Sequence, residues 1–166
     1  KKWLSNEIDN KRTLNLTKEE KDYLKSKDSI SMCIDPDFLP YEKINEKNKY
    51  IGIGSDIIKL VSNVINKPIV LTPTKSWNES LNSIKNNKCD ILPLATITPS
   101  RKLFLNFTKP YINDSLVVAT KTEEFFIKDS KDLSKRKIGV VKGYSSIELL
   151  KEKNPNINII NVKSAE

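Results

Sequence analysis

Short apolar runs alternate with amphipathic stretches along the first hundred residues of the chain. The apolar runs end in turn-forming or charged residues and predict buried strands at 30–34, 68–72 and 90–94. Between them, apolar residues recur at the spacing of one helix face and predict helices at 56–66 and 76–86. The order strand, helix, strand, helix, strand requires parallel strands and indicates a doubly wound α/β layer.

The same alternation begins again in the last third of the chain. An apolar run at 116–120 predicts a strand, and a strand at 137–141, a helix at 146–153 and a strand at 157–160 follow it. Ahead of the first strand, Thr17 precedes two glutamates, which is the pattern of a capped helix start. A leader helix therefore comes before the first strand.

For two of these helices, the sequence also predicts which residues cap them and which are buried. Ser55 directly precedes the helix at 56–66 and is predicted to cap it. Tyr23 and Leu24 are the expected buried contacts of the leader helix. The buried face of the helix at 56–66 is predicted to consist of five apolar residues, Ile57, Leu60, Val61, Val64 and Ile65.

The predicted elements divide the chain into three parts. Residues 1–16 are polar and irregular and are interpreted as a linker from a preceding region. Residues 17–115 are expected to form one complete lobe with its leader helix, and 116–166 a hinge strand and part of a second lobe. Because the chain begins with Lys1 and not with methionine, we expect an excised segment of a longer, exported protein.

The net charge of +8 comes mostly from lysines that are scattered through loops and exposed helix faces. Such dispersion favours a solvated surface over a nucleic-acid groove, so no nucleic-acid partner is expected. No apolar run of the 166 residues approaches the roughly 20 residues that span a bilayer. We therefore expect contact with a membrane only through flanking segments.

The chain has two cysteines and no histidine, so no metal site and no cofactor are expected. Cys33 lies late in the strand predicted at 30–34, whereas Cys89 just precedes the strand predicted at 90–94. If those strands are parallel neighbours, the two sulfurs are offset along the sheet and too far apart to bridge. Two free thiols, buried or half-buried, are the expectation.

A candidate anion site follows the apolar run at 90–94. Thr98 and Pro99 form a helix start, with a hydroxyl cap and proline at the first helical position. Arg101 then falls in the first helical turn. Small ligands bind at the carboxyl ends of strands in open α/β sheets, and a guanidinium fork beside free N–H groups suits a carboxylate. Arg101 is predicted to bind one, the alternative being a structural ion pair.

Eight short motifs occur in the order typical of one known family. They lie at 16–24, 35–42, 50–56, 76–77, 89–93, 96–101, 107–111 and 140–144. Together they resemble the family-three solute-binding proteins, the Venus-flytrap modules that bind polar amino acids for bacterial transporters. They resemble still more the version that serves as the periplasmic sensor of histidine kinases. The resemblance covers residues 17–163.

The resemblance implies a periplasmic binding protein type II-like fold with one complete doubly wound lobe and the first part of a second. The family module has more chain after the point that corresponds to Glu166, and in amino-acid binders an aspartate there receives the ligand ammonium. Two outcomes stay open: the chain carries half a cleft, or a second copy completes the cleft in a dimer. Residues 1–4 are similar to the tail of a preceding module in tandem receptors.

The resemblance also implies roles for individual residues in the first lobe. Arg101 would grip the ligand α-carboxylate, Thr96 would add its hydroxyl and backbone N–H, and Leu94 would offer a carbonyl to an ammonium. Phe38 and Trp77 would be aromatic walls of the pocket; a core role suits Phe38 equally, whereas the pocket is favoured for Trp77.

Three further positions are candidates with an open alternative. Asp35 would meet a cationic group, but aspartate before proline also ends strands and forms turns. In the second lobe, Tyr144 and Ser145 follow a strand end and would face the cleft, although Ser145 also suits a simple helix cap. Tyr41 and Glu42 are interpreted as support for the loop.

The resemblance implies extracytoplasmic binding of a small, amino-acid-like carboxylate by the sensor module of a signalling receptor. The alternative is the soluble receptor of a transporter. An enzyme on the same fold, such as a dehydratase or a lytic transglycosylase, is disfavoured because no histidine, activated nucleophile or spaced carboxylate pair is present. A cytoplasmic regulator domain is disfavoured because no helix-turn-helix occurs.

Overall fold

The computed structural model of the protein describes residues 14–124 and 126–164. Its helices are α1 (Lys18–Ser26), α2 (Ile53–Ile65), α3 (Trp77–Lys85), α4 (Pro99–Lys102), a 3₁₀ helix (Ser130–Lys135) and α5 (Ser145–Lys153). Its strands are β1 (Ile30–Met32), β2 (Asp37–Phe38), β3 (Glu42–Ile44), β4 (Tyr50–Ile51), β5 (Ile69–Leu71), β6 (Lys137–Val141) and β7 (Asn158–Val162). The interpretations of residues 1–4 and of most of the linker at 1–16 lie outside the described residues.

The first lobe is built on a parallel layer, as the alternation of elements predicts. β1 pairs in parallel with β5, with Ile30 opposite Ile69. The strand predicted at 90–94 is wrong in extent, because only Ile91 pairs with Met32, in an isolated parallel bridge. Pro93 has no N–H to donate to a ladder, and the chain turns there. The parallel layer of the first lobe ends there, at the edge of the cleft.

The core of the first lobe lies between this layer and α2. Met32, Ile34 and Ile58 are buried against one another. Apolar residues from the surrounding elements pack on them, namely Ile44, Tyr50, Ile69, Leu71 and Ile91. This core holds the ends of β1 and of the Ile91 bridge side by side, and both ends lead into the cleft.

The start of α2 differs from the prediction. The helix begins at Ile53, so Ser55 lies inside its first turn and its hydroxyl donates to the Gly52 carbonyl at 2.8 Å. Gly52 precedes the helix with φ +106°, and a Cβ there would lie 2.5 Å from the Tyr41 carbonyl oxygen. The close approach of the backbone to Tyr41 therefore requires glycine at position 52.

The buried face of α2 also differs from the prediction. The structure buries Gly54, Ser55 and Ile58. Three of the residues expected to be buried, Leu60, Val61 and Val64, are more than a third exposed. Among the described residues, the layer beneath α2 consists of two paired strands and one bridge, and it covers only a narrow stripe of the helix.

An antiparallel ribbon of β2, β3 and β4 connects β1 to α2 and was not predicted. Asp37 pairs with Lys43, and Ile44 pairs with Tyr50. Each strand is two or three residues long, too short for a period-two pattern to stand out in the sequence. The ribbon carries Phe38 to the cleft.

The second lobe contains β6, α5 and β7. β6 and β7 pair in parallel, with Gly139 opposite Ile160. The strand predicted at 116–120 is wrong: the segment pairs with none of the described strands, and Val117 is 79% exposed. Residues 116–120 have side chains typical of a strand, but a strand also needs a neighbour that pairs with its backbone groups. The described chain offers this segment no such neighbour.

Cys33 and Cys89 form a disulfide, so the expectation of two free thiols is wrong. Their Cα atoms lie 5.8 Å apart. The expected offset assumed a regular strand at 90–94, but the chain bends at Asp90 and brings Cys89 beside the end of β1. Both cysteines are buried.

The leader helix has the predicted capping box. The Glu20 carboxylate accepts from the Thr17 N–H at 2.8 Å, and the Thr17 hydroxyl oxygen accepts from the Glu20 N–H at 3.2 Å. Tyr23 is half exposed and not buried as expected, but its hydroxyl donates to Asp90 at 3.4 Å. Lys27 donates to the same carboxylate at 2.8 Å and, with Ser31, lowers the pKa of Asp90 to about 2.

Candidate functional site

Arg101 lies at the start of α4, where local sequence signals position it. Thr98 caps the helix as predicted: its hydroxyl oxygen accepts from the Arg101 N–H at 3.3 Å, and Pro99 follows as the first helical residue. The Arg101 side chain is 5% exposed, and its Nη1 donates to the Thr96 carbonyl at 2.9 Å. The atom of Thr96 that meets the guanidinium is therefore its carbonyl oxygen.

The other side of the Arg101 fork reaches the second lobe. Arg101 Nη2 donates to the Gly143 carbonyl at 2.9 Å, and Trp77 Nε1 donates to the same oxygen at 3.0 Å. The guanidinium carbon lies 5.2 Å from the centroid of the Trp77 ring, within the range of a cation–π contact. The two lobes thus meet through Gly143, a backbone role that sequence reasoning did not assign.

Gly143→Ala is expected to weaken this contact between the lobes. Gly143 has φ +86°, and an added Cβ would lie 3.3 Å from Leu81 Cδ1 and 3.4 Å from Trp77 Cδ1. The left-handed backbone alone costs a side chain roughly 1–2 kcal/mol. For a chain of this size that corresponds to a fall in Tm of about 4 °C.

Gly139→Ala is the matched control for this substitution. Gly139 lies on β6 in the same lobe, and an added Cβ there would make one ordinary contact, 3.4 Å from Val162 Cγ1. Thermal unfolding followed by circular dichroism compares the two variants. Equal losses of Tm would mean that the backbone at Gly143 is not constrained.

Two buried carboxylates, those of Asp35 and Glu42, lie in the same cleft as Arg101. The Tyr144 hydroxyl of the second lobe donates to Asp35 Oδ2 at 2.6 Å, and the Asp37 N–H donates to Oδ1 at 3.0 Å. Glu42 Oε1 accepts from the Asp35 N–H at 2.8 Å, and Oε2 accepts from the Tyr50 hydroxyl at 3.2 Å. Asp35 is 5% exposed and Glu42 1%.

Burial is the main cause of the pKa shifts of these carboxyl and hydroxyl groups. Loss of water raises the pKa of Asp35 in spite of its hydrogen bond from Tyr144. The same cause raises the pKa of Glu42 to about 7. Burial and the bond to Asp35 also raise the pKa of the Tyr144 hydroxyl, which therefore stays protonated and donates.

One cavity brings together all eight residues that the sequence proposed for the site. It has about 330 Å³ of empty space, its open mouth included. Its lining consists of Asp35, Phe38, Glu42, Trp77, Leu94, Thr96, Arg101, Tyr144 and Ser145. The rings of Phe38 and Tyr144 meet edge to face across the cleft, with centroids 5.7 Å apart.

Glu42 is the lining residue that sequence reasoning had placed elsewhere. Its interpretation as support for the loop describes its bond to the Asp35 N–H, but not its place in the cavity wall. The signal would have been the alternation along β3, in which Glu42 faces inward and Lys43 reaches Asp37. That strand was not predicted.

A second polar contact joins the lobes at the rim of the cleft. The Glu148 carboxylate on α5 accepts from the Ser100 N–H at 3.2 Å and from the Ser100 hydroxyl at 2.7 Å. The bond from Ser100 lowers the pKa of Glu148. Its charge lies near the N-terminal end of α4, where the helix dipole favours an anion.

Two further properties concern the described residues only. Within 14–124 and 126–164, no three side chains of the metal-binding types cluster closely enough to hold an ion. No helix in those ranges has the length and apolar character to cross a bilayer.

Two α/β lobes that meet over a cleft at their strand ends define the class of periplasmic binding proteins, type II. Residues 30–160 match the sequence model of the bacterial extracellular solute-binding proteins, family 3, and the chain belongs to this family. The resemblance seen in its motifs is thereby confirmed, and so is the expected fold class.

Known relatives include both transport and sensor proteins. The chain is 24% identical to ABC transporter arginine-binding protein 1 of Escherichia coli K12, covering 82% of this chain and 56% of the relative. It is 19% identical to the virulence sensor protein BvgS of Bordetella pertussis Tohama I, covering 74% of this chain and 10% of the relative. The crystal structure of the B. pertussis BvgS periplasmic domain superposes with a TM-score of 0.78 at 16% identity, covering 90% of this chain and 29% of that one.

Proposed function

We propose that the chain is the ligand-binding module of an extracytoplasmic sensor and that it holds a small, amino-acid-like carboxylate between its lobes. The observation that carries the proposal is Arg101. Its guanidinium is almost wholly buried, lines the cavity and bonds to backbone carbonyls of both lobes. A guanidinium has five N–H donors, and those two bonds use two of them, so the fork can also receive an anion.

The roles proposed for the other lining residues follow from their chemistry. Arg101 and Thr96 take the ligand carboxylate, and the Leu94 carbonyl accepts from its ammonium. Asp35 faces a cationic group, and Ser145 adds a hydroxyl from the first residue of α5. Aromatic side chains that line the cavity enclose the ligand, namely Phe38, Trp77 and Tyr144.

Ligand binding in this arrangement favours the closed lobes. A solute that contacts both Arg101 and Tyr144 binds the closed form better than the open one, and it shifts the equilibrium by that difference in affinity. We propose that the resulting movement is passed to flanking segments, as in a sensor anchored in the membrane by other parts of the protein. The module itself binds and does not catalyse.

Two observations support a sensor. The leader helix is capped and held to the first lobe through Asp90, so a preceding segment would be coupled to the layer beneath the cleft. The likeness to BvgS extends over 90% of the chain. The second candidate, a transporter receptor, is supported by the higher sequence identity to the arginine-binding protein.

Isothermal titration calorimetry against a panel of amino acids and small carboxylic acids tests the proposal. The 166-residue chain is titrated beside a longer version that includes the rest of a second lobe. We expect a carboxylated amino acid to bind, and to bind more weakly to the shorter chain. Sedimentation of the same samples reports whether a second copy completes the cleft. A panel without any binder of the longer version would contradict the proposed function.

A further inference from the structure

One short helix of the first lobe, α4, bonds to the second lobe at two neighbouring residues. Inside the cleft, the Arg101 guanidinium donates to the Gly143 carbonyl at 2.9 Å. At the rim, the Glu148 carboxylate of α5 accepts from the Ser100 N–H at 3.2 Å and from the Ser100 hydroxyl at 2.7 Å. The position of α4 relative to the second lobe therefore depends on an inner and an outer contact.

The outer contact lies outside the cavity. The described residues that line the cavity do not include Ser100 or Glu148, whereas Arg101 and Tyr144 both belong to the lining. A ligand in the cavity can therefore change the bonds of Arg101 and Tyr144 directly. The bond between Ser100 and Glu148 depends only on the distance between the two lobes, whatever the cavity holds.

A series of hydrogen bonds connects the outer contact to the helix start that positions Arg101. Because a carboxylate only accepts, the Ser100 hydroxyl donates to Glu148, and the Ser100 oxygen is left to accept from the Thr98 hydroxyl at 3.1 Å. The Thr98 oxygen in turn accepts from the Arg101 N–H at 3.3 Å. The charge of Glu148 also opposes the lowering of the Arg101 pKa by burial. Glu148 thus acts on Arg101 without contacting the cavity.

We propose that Glu148 is a positioning residue for ligand binding: it stabilises the contact between the lobes through Ser100 and so strengthens the binding of every ligand by the same factor. The effect on binding rests on the proposed function, since it requires a ligand that binds the closed lobes. A protein that is closed for only a fraction of the time has a Kd raised by the inverse of that fraction. Glu148 increases the closed fraction and does not distinguish one ligand from another.

The indole N–H of Trp77 reports the opening of the lobes without any ligand. It donates to the Gly143 carbonyl of the second lobe at 3.0 Å, and the Trp77 side chain is 5% exposed. Exchange of this hydrogen with deuterated solvent requires the bond to break, so its rate follows the ratio of open to closed protein. Trp3 is the other tryptophan of the sequence, and the variant Trp3→Phe identifies the Trp77 signal in NMR spectra.

Glu148→Ala is expected to speed the exchange of the Trp77 indole hydrogen about three- to tenfold, the effect of losing one or two hydrogen bonds at the surface. Ser100→Ala changes the first lobe only and should also speed the exchange, but less, because the Ser100 N–H still donates to Glu148. Both substitutions together should add nothing to Glu148→Ala, since they remove the same contact. Glu152→Ala, which replaces an exposed acid on α5, is the matched control and should leave the rate unchanged.

Two results of the exchange measurement overturn the inference. The first is an unchanged exchange rate in Glu148→Ala. The second is an additive effect of Glu148→Ala and Ser100→Ala, because Glu148 would then act through the stability of α5 and not through Ser100. The variant Ser100→Ala keeps the test valid if the replacement of Glu148 disturbs α5, since its own substitution lies in the other lobe.

Calorimetric titration with L-arginine and L-glutamine tests the effect of Glu148 on binding. The two side chains differ in charge, so a residue that contacts the ligand would change the two Kd values unequally. We expect Glu148→Ala to raise both by one common factor, no larger than the factor found for the exchange rate. Unchanged Kd values, or a changed ratio between them, overturn the inference while the proposed function stands. If no amino acid of the panel binds, the proposed function fails, and the exchange rate of Trp77 still decides whether Glu148 stabilises the contact between the lobes.

Discussion

Replacing Arg101 with alanine is expected to abolish thermal stabilisation by amino-acid ligands while the fold is retained. Arg101 is the buried cation of the cavity, and alanine leaves a ligand carboxylate without a charged donor there. Losing one partner of a buried, charged hydrogen-bonded pair costs about 3 kcal/mol, or roughly a hundredfold in affinity. The fold should persist, because Thr98 and Pro99 start α4 without the Arg101 side chain.

Two further variants, Arg101→Lys and Lys102→Ala, test whether the loss of binding is specific to the Arg101 guanidinium. Lysine keeps the positive charge but cannot make two parallel bonds to a carboxylate, so Arg101→Lys should also bind weakly. Lys102 lies next to Arg101 on α4 and is exposed, so Lys102→Ala should bind like the unmodified protein. Thermal shift and calorimetry with the best ligand of the panel measure all three variants. An unchanged Kd in Arg101→Ala would remove Arg101 from the site.

Glu42→Gln is expected to make the protein more stable at pH 8 and to leave its stability near pH 4 almost unchanged. Burial raises the pKa of Glu42 from 4.5 to about 7, so between these pH values the folded state binds the proton more tightly than the unfolded state. The stability contributed by protonated Glu42 is complete below pH 4.5 and is lost as pH rises through 7. The loss is on the order of 2–3 kcal/mol.

Urea denaturation at pH 4, 6 and 8 measures this effect. Glutamine is neutral throughout, so the free energy of unfolding of the variant should vary less with pH than that of the unmodified protein. Glu46→Gln, whose carboxyl is exposed, should leave the pH profile as it was. A Glu42→Gln variant less stable than the parent at pH 8 would show that the ionised carboxylate stabilises the fold.

Helix starts could be predicted from the sequence because their hydrogen bonds are local. Thr17 and Thr98 each accept from an N–H three residues further along, and both predicted caps are present in the structure. The start of α2 was wrong because it depends on a distant contact. Gly52 begins that helix since its backbone packs against Tyr41, and the spacing of apolar residues does not contain that information.

Elements that need a distant partner could not be predicted with the same success. The runs at 90–94 and 116–120 have strand-like composition, but β structure also requires a neighbour with free backbone groups. Only Ile91 of the first run finds one, and the second finds none among the described residues. The disulfide was missed for the same reason, because the bend at Asp90 is not visible in the pattern.

The candidate site was largely predictable because its side chains follow strand ends. Asp35 comes shortly after β1, Thr96 follows the Ile91 bridge and Tyr144 follows β6, and all three line one cavity. The sequence did not indicate which backbone atoms take part in the site or which buried groups lie next to its predicted residues. The Gly143 carbonyl and the buried charge of Glu42 become visible only when the two lobes are brought together.

The cross-link between Cys33 and Cys89 has a practical consequence for every measurement on this protein. It closes a loop between positions 56 residues apart, directly before the segments that carry Asp35 and Leu94. Such cross-links contribute a few kcal/mol to stability and form in oxidising compartments. Material made in a reducing cytosol would lack this cross-link, and its binding data would describe a looser pocket than that of the disulfide-bonded protein.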